Sequence, residues 1–247
     1  MDENQPNDAP KDNSYLLPAS ILIAAILISG AVLYSGKNPG GRGQTADVSG
    51  GAQNLPAESA DVQKISDRDV ILGNPKAPVT FIEYGDYQCP FCGRFFTNVE
   101  GPLRDEYIKT NKVKMIFRNL PFLGSESTAA AEAAECAKDQ NKFWAYHDAL
   151  YAAEIADGHE NSGNLTSDLF VKLAGGIGLD AKVFGACVAS GKYAQKIKAD
   201  LSSAQAAGVQ STPTTFVNGA RFEGALPYSQ FKAAIDKELK GVYNGIN

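Results

Sequence analysis

Cys89-Pro90-Phe91-Cys92 sets two thiols three residues apart, a spacing at which they can close a small disulfide. The apolar stretch Val79-Thr80-Phe81-Ile82-Glu83-Tyr84 precedes them and the helix-compatible Gly93-Arg94-Phe95-Phe96 follows. A sulfur at a helix start faces backbone N–H groups that have no partner within the helix and that stabilise negative charge. In such C-x-x-C settings the nucleophilic thiol falls from about 8.5 into a range of roughly 3.5 to 7.5, which makes it largely ionised and a good leaving group. Pro90 suits the first helical turn, having no N–H to lose and a preset φ. The chemistry this predicts is thiol–disulfide exchange, with Cys89 exposed as nucleophile, Cys92 more buried as resolving thiol, and the Cys89 thiolate held mainly by backbone N–H groups.

A zinc site would need two further ligands. The two histidines, His147 and His159, stand twelve apart rather than in the close pairing zinc sites use. No metal and no bound organic cofactor is therefore expected. An inert bridge over so short a loop would constrain the unfolded chain little.

Glu83 is an acid inside an otherwise apolar strand, where charge is costly unless the carboxyl stays protonated or meets a partner. It reads either as a proton relay for Cys92 or as an outward-facing strand residue in water, and strand alternation alone does not choose.

The dithiol needs a frame. Val79 to Tyr84 has the composition of a buried strand, and Lys112-Val113-Lys114-Met115-Ile116-Phe117-Arg118 alternates as a half-exposed one. With a helix between, they form a βαβ unit whose strands should run parallel, the C-x-x-C lying at the carboxyl end of the first. A helical stretch follows over about 125–208, punctuated by Gly175-Gly176 and Gly191. Thr214-Thr215-Phe216-Val217 then reads as a strand, Asn218-Gly219 as a tight hairpin turn, Arg221-Phe222 as the return strand, and residues 226–239 as a closing amphipathic helix. Cys136 and Cys187 both fall in the helical stretch. If joined, they close a loop whose chain-entropy contribution is roughly 4 kcal/mol. They read as a structural pair, the alternatives being a second redox relay or free thiols. His147, among Phe143, Trp144 and Tyr146, reads as a packed core histidine.

The 247 residues carry a net charge of −5 and are 44% hydrophobic, enough for one sizeable core. No basic run offers a footprint for phosphate backbones, so nucleic acid is not an expected partner. Residues 13–36 lack charge, and the nearly all-apolar run within them approaches the roughly 30 Å of a bilayer core, predicting one transmembrane helix over 15–35. A cleaved signal peptide would want a basic leader and a small-residue cleavage site, whereas Met1-Asp2-Glu3 is acidic. Lys11 precedes the span while Lys37 and Arg42 follow it, so the positive-inside count leans by one residue against an outward-facing domain. Four cysteines with a structural-looking second pair suit an oxidising compartment, and that argument sets the orientation. The expected order is a polar tail (1–14), the span (15–35), a flexible Gly- and Pro-rich linker (36–66) and a globular domain (67–247).

The order βαβ, helical insertion, ββα, with Thr212-Pro213 before the third strand, looks like an α/β thioredoxin fold, and the insertion makes it resemble the DsbA-type thiol:disulfide oxidoreductases. The likeness covers about 67–243 and rests on Cys89-Pro90-Phe91-Cys92, on Glu83 six residues earlier, on the run from Phe143 to Leu150, and on Gly208-Val209-Gln210-Ser211-Thr212-Pro213-Thr214. The membrane-anchored, four-cysteine subgroup is the closer match. The resemblance implies a cis Thr212–Pro213 peptide facing the dithiol, substrate contacts at Pro90, Phe91, Thr212 and Pro213, and a relay role for Glu83. It also implies oxidation of cysteines in exported proteins, with a quinone-linked membrane protein as reoxidant. Strongly oxidising members carry histidine where this chain has Phe91, which predicts a potential below the −120 mV or so of the strongest oxidant. A reductase or isomerase, or a thioredoxin-fold peptide-binding or chaperone module, is the alternative.

Overall fold

The computed structural model describes residues 64–66 and 68–245. The tail and transmembrane span expected over 1–35 lie outside the described residues, as does the linker up to residue 63. Among the described residues no helix is long and apolar enough to cross a membrane. Residues 64–66, assigned above to the flexible linker, are instead tied down. The Lys64 carbonyl accepts from Arg118 at 2.9 Å, and the Ser66 amide donates to Asp69 at 2.8 Å.

Five strands form one mixed sheet in the order β1-β3-β2-β4-β5. These are β1 (Ile71–Leu72), β2 (Val79–Gly85), β3 (Val113–Asn119), β4 (Thr214–Val217) and β5 (Ala220–Glu223). β2 and β3 pair in parallel from Val79 opposite Val113 to Gly85 opposite Asn119, as a βαβ crossover requires. β1, only two residues long, adds an antiparallel edge to β3 that no periodicity could have announced. Asn218 and Gly219 turn β4 into β5 with φ of 44° and 92°, the left-handed backbone that this dipeptide tolerates.

The crossover helix α1 begins at Pro90–Phe95 and continues through a π-helical turn at Phe96–Glu100, a short α segment at Gly101–Leu103 and a second π-helical turn at Arg104–Ile108. Pro102 explains the interruption: it has no N–H to donate and its ring crowds the carbonyl four residues back, so the hydrogen-bond ladder changes phase around it. The insertion supplies α2 (Ser125–Lys138), α3 (Phe143–Asp157), α4 (Ser167–Gly176), α5 (Ala181–Ala189) and α6 (Ala194–Ala206), and α7 (Tyr228–Asn244) closes the fold, running further than the expected 226–239.

Alternation along β2 sorts the core. Val79 and Phe81 face α1 and α7, where the Phe81, Phe95 and Phe231 rings meet at centroid distances of 5.3–6.2 Å. Ile82 and Tyr84 face the opposite side, against Ala204 of α6 and Phe216. Glu83 shares the face of Phe81 and therefore points into protein beneath α1.

Candidate active site

Cys89 is the N-cap of α1, with extended backbone (φ −69°, ψ 118°), and Pro90 occupies the first helical position. The approach to it is fixed by Asp86. Its Oδ1 accepts from the Gln88 amide at 3.0 Å, its Oδ2 accepts from the amides of Phe122 and Leu123 at 2.9 and 3.2 Å, and its carbonyl accepts from the Cys89 amide at 3.1 Å. An Asp just past a strand, bonding its own backbone two residues on, is a turn signal that sequence reading passed over.

Cys89 is less buried than Cys92, but it is not the exposed thiol expected: 5% of its surface is accessible, against none for Cys92. The Thr212–Pro213 loop covers it, and the Cys89 thiol donates to the Thr212 carbonyl at 3.6 Å. The Thr212–Pro213 peptide is cis. Thr212 and Pro213 are buried against the dithiol, while Pro90 is exposed and Phe91 stands 52% exposed beside it with the Arg94 guanidinium 4.2 Å over its ring.

The Cys89 thiol is lowered from 9.0 to about 6. The largest contribution is a hydrogen bond from the Cys92 thiol; burial opposes it, and Thr212 and the amides of Cys92 and Phe91 add to it. The amides expected to hold the thiolate thus share that task with the neighbouring thiol, which is the largest single contribution. Burial, then the hydrogen bond and negative charge at Cys89, push the Cys92 thiol well above 9.0. The two sulfurs therefore divide the work, one ionised at neutral pH and the other retaining its proton.

Glu83 lies beneath them with no accessible surface and with neither carboxyl oxygen hydrogen-bonded, so the water-facing reading is excluded. Burial first, and then the neighbouring Glu100 carboxylate, raise it well above 4.5, with the Cys89 thiolate adding to the effect and Arg104 opposing it. Glu100, from α1, is 1% exposed and accepts from Arg104 at 2.6 Å, and Arg104 in turn binds Asp148 of α3 through both guanidinium nitrogens at 2.7 and 2.9 Å. Sequence reading found Glu83 but not Glu100 or Arg104, which the π-helical turns of α1 aim inward.

A cavity of about 300 Å³ opens beside Cys89, walled by Tyr87, Pro90, Gly93, Thr97 and Ile155. Glu154 borders it, raised to about 7 chiefly by burial. Cys136 of α2 and Cys187 of α5 form a disulfide with their Cα atoms 5.9 Å apart, away from this site. His147 has no accessible surface and is ringed by Phe117, Trp144 and Tyr151 at 4.7–5.1 Å. Thr166, the third residue of an Asn-x-Thr glycosylation pattern, accepts from the Leu169 amide and caps α4. Among the described residues no group of three His, Cys, Asp or Glu side chains is arranged to hold a metal ion.

The thioredoxin family profile matches residues 66–237. The chain is 34% identical over 174 residues to the probable disulfide bond formation protein D of Bacillus anthracis, covering 68% of this chain and 77% of that protein. It is also 34% identical over 177 residues to a protein named Na(+)/H(+) antiporter NhaA 1 of Salinispora arenicola, where the match spans 71% of this chain but only 25% of that protein. Among solved structures, oxidised BdbD from Bacillus subtilis superposes with a TM-score of 0.65 at 30% identity, over 70% of this chain and 94% of that one.

Proposed function

The chain belongs to the thioredoxin-fold thiol:disulfide oxidoreductases of the DsbA and BdbD kind, and from that premise we propose that it is a membrane-tethered, extracytoplasmic oxidase of exported proteins. The observation that carries the oxidising direction is the acidic Cys89 thiol. A thiolate stable at neutral pH stabilises the reduced enzyme, and an enzyme that prefers its dithiol form passes its disulfide to substrates. A thiol at about 6 sits between the roughly 7 of thioredoxin and the roughly 3.5 of the strongest oxidant, which supports a potential between about −270 and −120 mV.

In this reading a substrate thiolate attacks Cys89 Sγ, the Cys89–Cys92 bond breaks, and its electron pair leaves on Cys92. Cys92, a poor thiolate, takes a proton from Glu83. A second substrate thiolate then attacks the substrate sulfur of the mixed disulfide and releases Cys89 as the stable thiolate. Pro90, Phe91, Thr212, Pro213 and the cavity beside Cys89 receive the substrate segment, and Thr212 offers it backbone hydrogen bonds as to an added strand. Cys136–Cys187 serves structure alone. Residues 15–35 anchor the domain, with 1–14 as tail and 36–63 as tether, and a quinone-linked membrane protein restores the disulfide.

Replacing Cys92 by Ala removes the neighbouring thiol that would attack Cys89 Sγ and release a bound substrate, so an adduct formed when the Cys89 thiolate attacks a substrate disulfide persists. The full chain carrying Cys92→Ala should accumulate mixed disulfides with exported proteins. A variant that holds clients without covalent adducts marks a binding module instead, and one that traps cytoplasmic proteins refutes the assigned compartment.

A further inference from the structure

Below Glu83 lies a chain of buried polar atoms that the exchange chemistry does not itself use. Glu100 divides its carboxylate: Oε2 is held by Arg104 at 2.6 Å, while Oε1 is buried with no hydrogen-bond partner and lies 3.6 Å from His147 Nε2. His147 Nε2 is likewise without a partner, and the opposite ring nitrogen, Nδ1, is 3.0 Å from Asp148 Oδ1. The Asp148 side chain is 40% exposed, whereas Glu83, Glu100 and His147 are sealed from solvent. Both ring nitrogens thus face carboxylate oxygens, one deep and one at the surface, with the rings of Phe117, Trp144 and Tyr151 packed around the imidazole. Arg104 spans the same two carboxylates and fixes their separation.

We propose that Glu100, His147 and Asp148 are the proton outlet of the dithiol, carrying between solvent and Glu83 the proton that Glu83 exchanges with Cys92.

The inference rests on the relay role assigned to Glu83. When the Cys89–Cys92 bond breaks, two electrons leave on Cys92, the Glu83 proton follows them, and Glu83 is left as a buried carboxylate beside Glu100. Such a charge is costly to hold. A proton from water enters at Asp148, is taken up at His147 Nδ1 while the Nε2 proton passes to Glu100 Oε1, and moves on to Glu83. Reoxidation runs the same path outward. One proton crosses for each disulfide exchanged, so Glu83 is reset before the next turnover. The groups facing His147 are Glu100 from α1, Tyr87 from the loop after β2, and Asp148 and Tyr151 from its own helix. Of these, only the two acids touch its nitrogens.

A purely structural cluster would join α1 to α3 and change stability and every rate together. A proton outlet changes rate alone. The test is the rate at which the oxidised full chain is reduced by a dithiol peptide, sampled by acid quench in light and heavy water. His147→Phe and Glu100→Gln should each slow reduction by about tenfold or more, less than the roughly hundredfold at the lower end of direct positioned proton transfer because both act one step removed from the sulfur, and raise the solvent isotope effect. The double variant should be no slower than the slower single one, because both lie on one path. For His147→Phe, which removes no buried charge, the redox equilibrium with glutathione and the Cys89 titration should not move. Asp148→Asn, at the surface, removes the outer site without opening the core and should slow reduction in the same sense, so the test survives a His147 variant that does not fold. Normal rates, multiplicative losses in the double variant, or losses that track melting temperature overturn the proposal. Slow Glu83→Gln with normal His147 and Glu100 variants sinks the outlet alone; normal Glu83→Gln sinks the relay on which it rests.

Discussion

Two cysteine pairs in this chain have opposite surroundings. Cys89 and Cys92 sit in one turn at the start of α1, beside free amides, the Thr212 carbonyl and a buried acid, and their two thiols are driven apart in acidity. Cys136 and Cys187 are 51 residues apart, on helices whose meeting is set by small and apolar side chains: the Ala130, Ala133, Ala134 and Ala137 face of α2 lets its neighbours approach closely. The first site invests buried polar groups in making a sulfur reactive. The second surrounds its sulfurs with ordinary packing. A cysteine's chemistry here follows from the donors and charges within reach of the sulfur, and its contribution to stability from the length of chain it closes.

The largest test of that contrast removes the distant pair. Cys136→Ala with Cys187→Ala should cost up to about 4 kcal/mol of stability, read by denaturant unfolding, while exchange activity well below the transition stays intact. Lost activity in a folded variant would make the second pair part of the redox path.

Next comes Glu83→Gln, which should slow exchange by about a hundredfold without lowering stability at neutral pH. Because folding raises the Glu83 carboxyl above 4.5, its contribution is fully present below that pH and is lost as pH rises toward the folded value. Wild-type stability should therefore decline over that window relative to Glu83→Gln, and parallel pH–stability curves would show that Glu83 is not buried as a neutral acid.

Titration of the reduced protein by ultraviolet thiolate absorbance should give a midpoint near the value of about 6 assigned to Cys89. Its lowered pKa means that the stabilisation of the reduced over the oxidised form is complete above the ordinary thiol value of 9.0 and disappears as pH falls through about 6. A midpoint at the ordinary value removes the basis for an oxidase.

The smallest effect is expected at Phe91. Phe91→His, at an exposed position, adds a donor near the Cys89 thiolate and should raise the potential by about 30 mV, equal to about 1.4 kcal/mol, in equilibrium with glutathione. An unchanged potential would assign all of the tuning to Cys92, Thr212 and the amides.

Local pattern determined much of this protein. A β-branched and aromatic run, a proline after the first cysteine and a tight Asn-Gly turn specify strand, helix start and hairpin through contacts within a few residues, so β2, α1, β4 and β5 and the place of the dithiol could all be read from the chain. The chain also marked Glu83 as out of place in an apolar strand. Only the tertiary structure decided which way Glu83 faces, because alternation gives two faces and burial requires knowing which one α1 covers. It also decided that the cis-proline loop, more than a hundred residues away in sequence, closes over Cys89 and leaves the thiol covered. And it turned His147 from one more residue of an aromatic helix into a bridge between two carboxylates, because Glu100 and Asp148 meet its ring from different helices and no spacing along a single chain records that meeting.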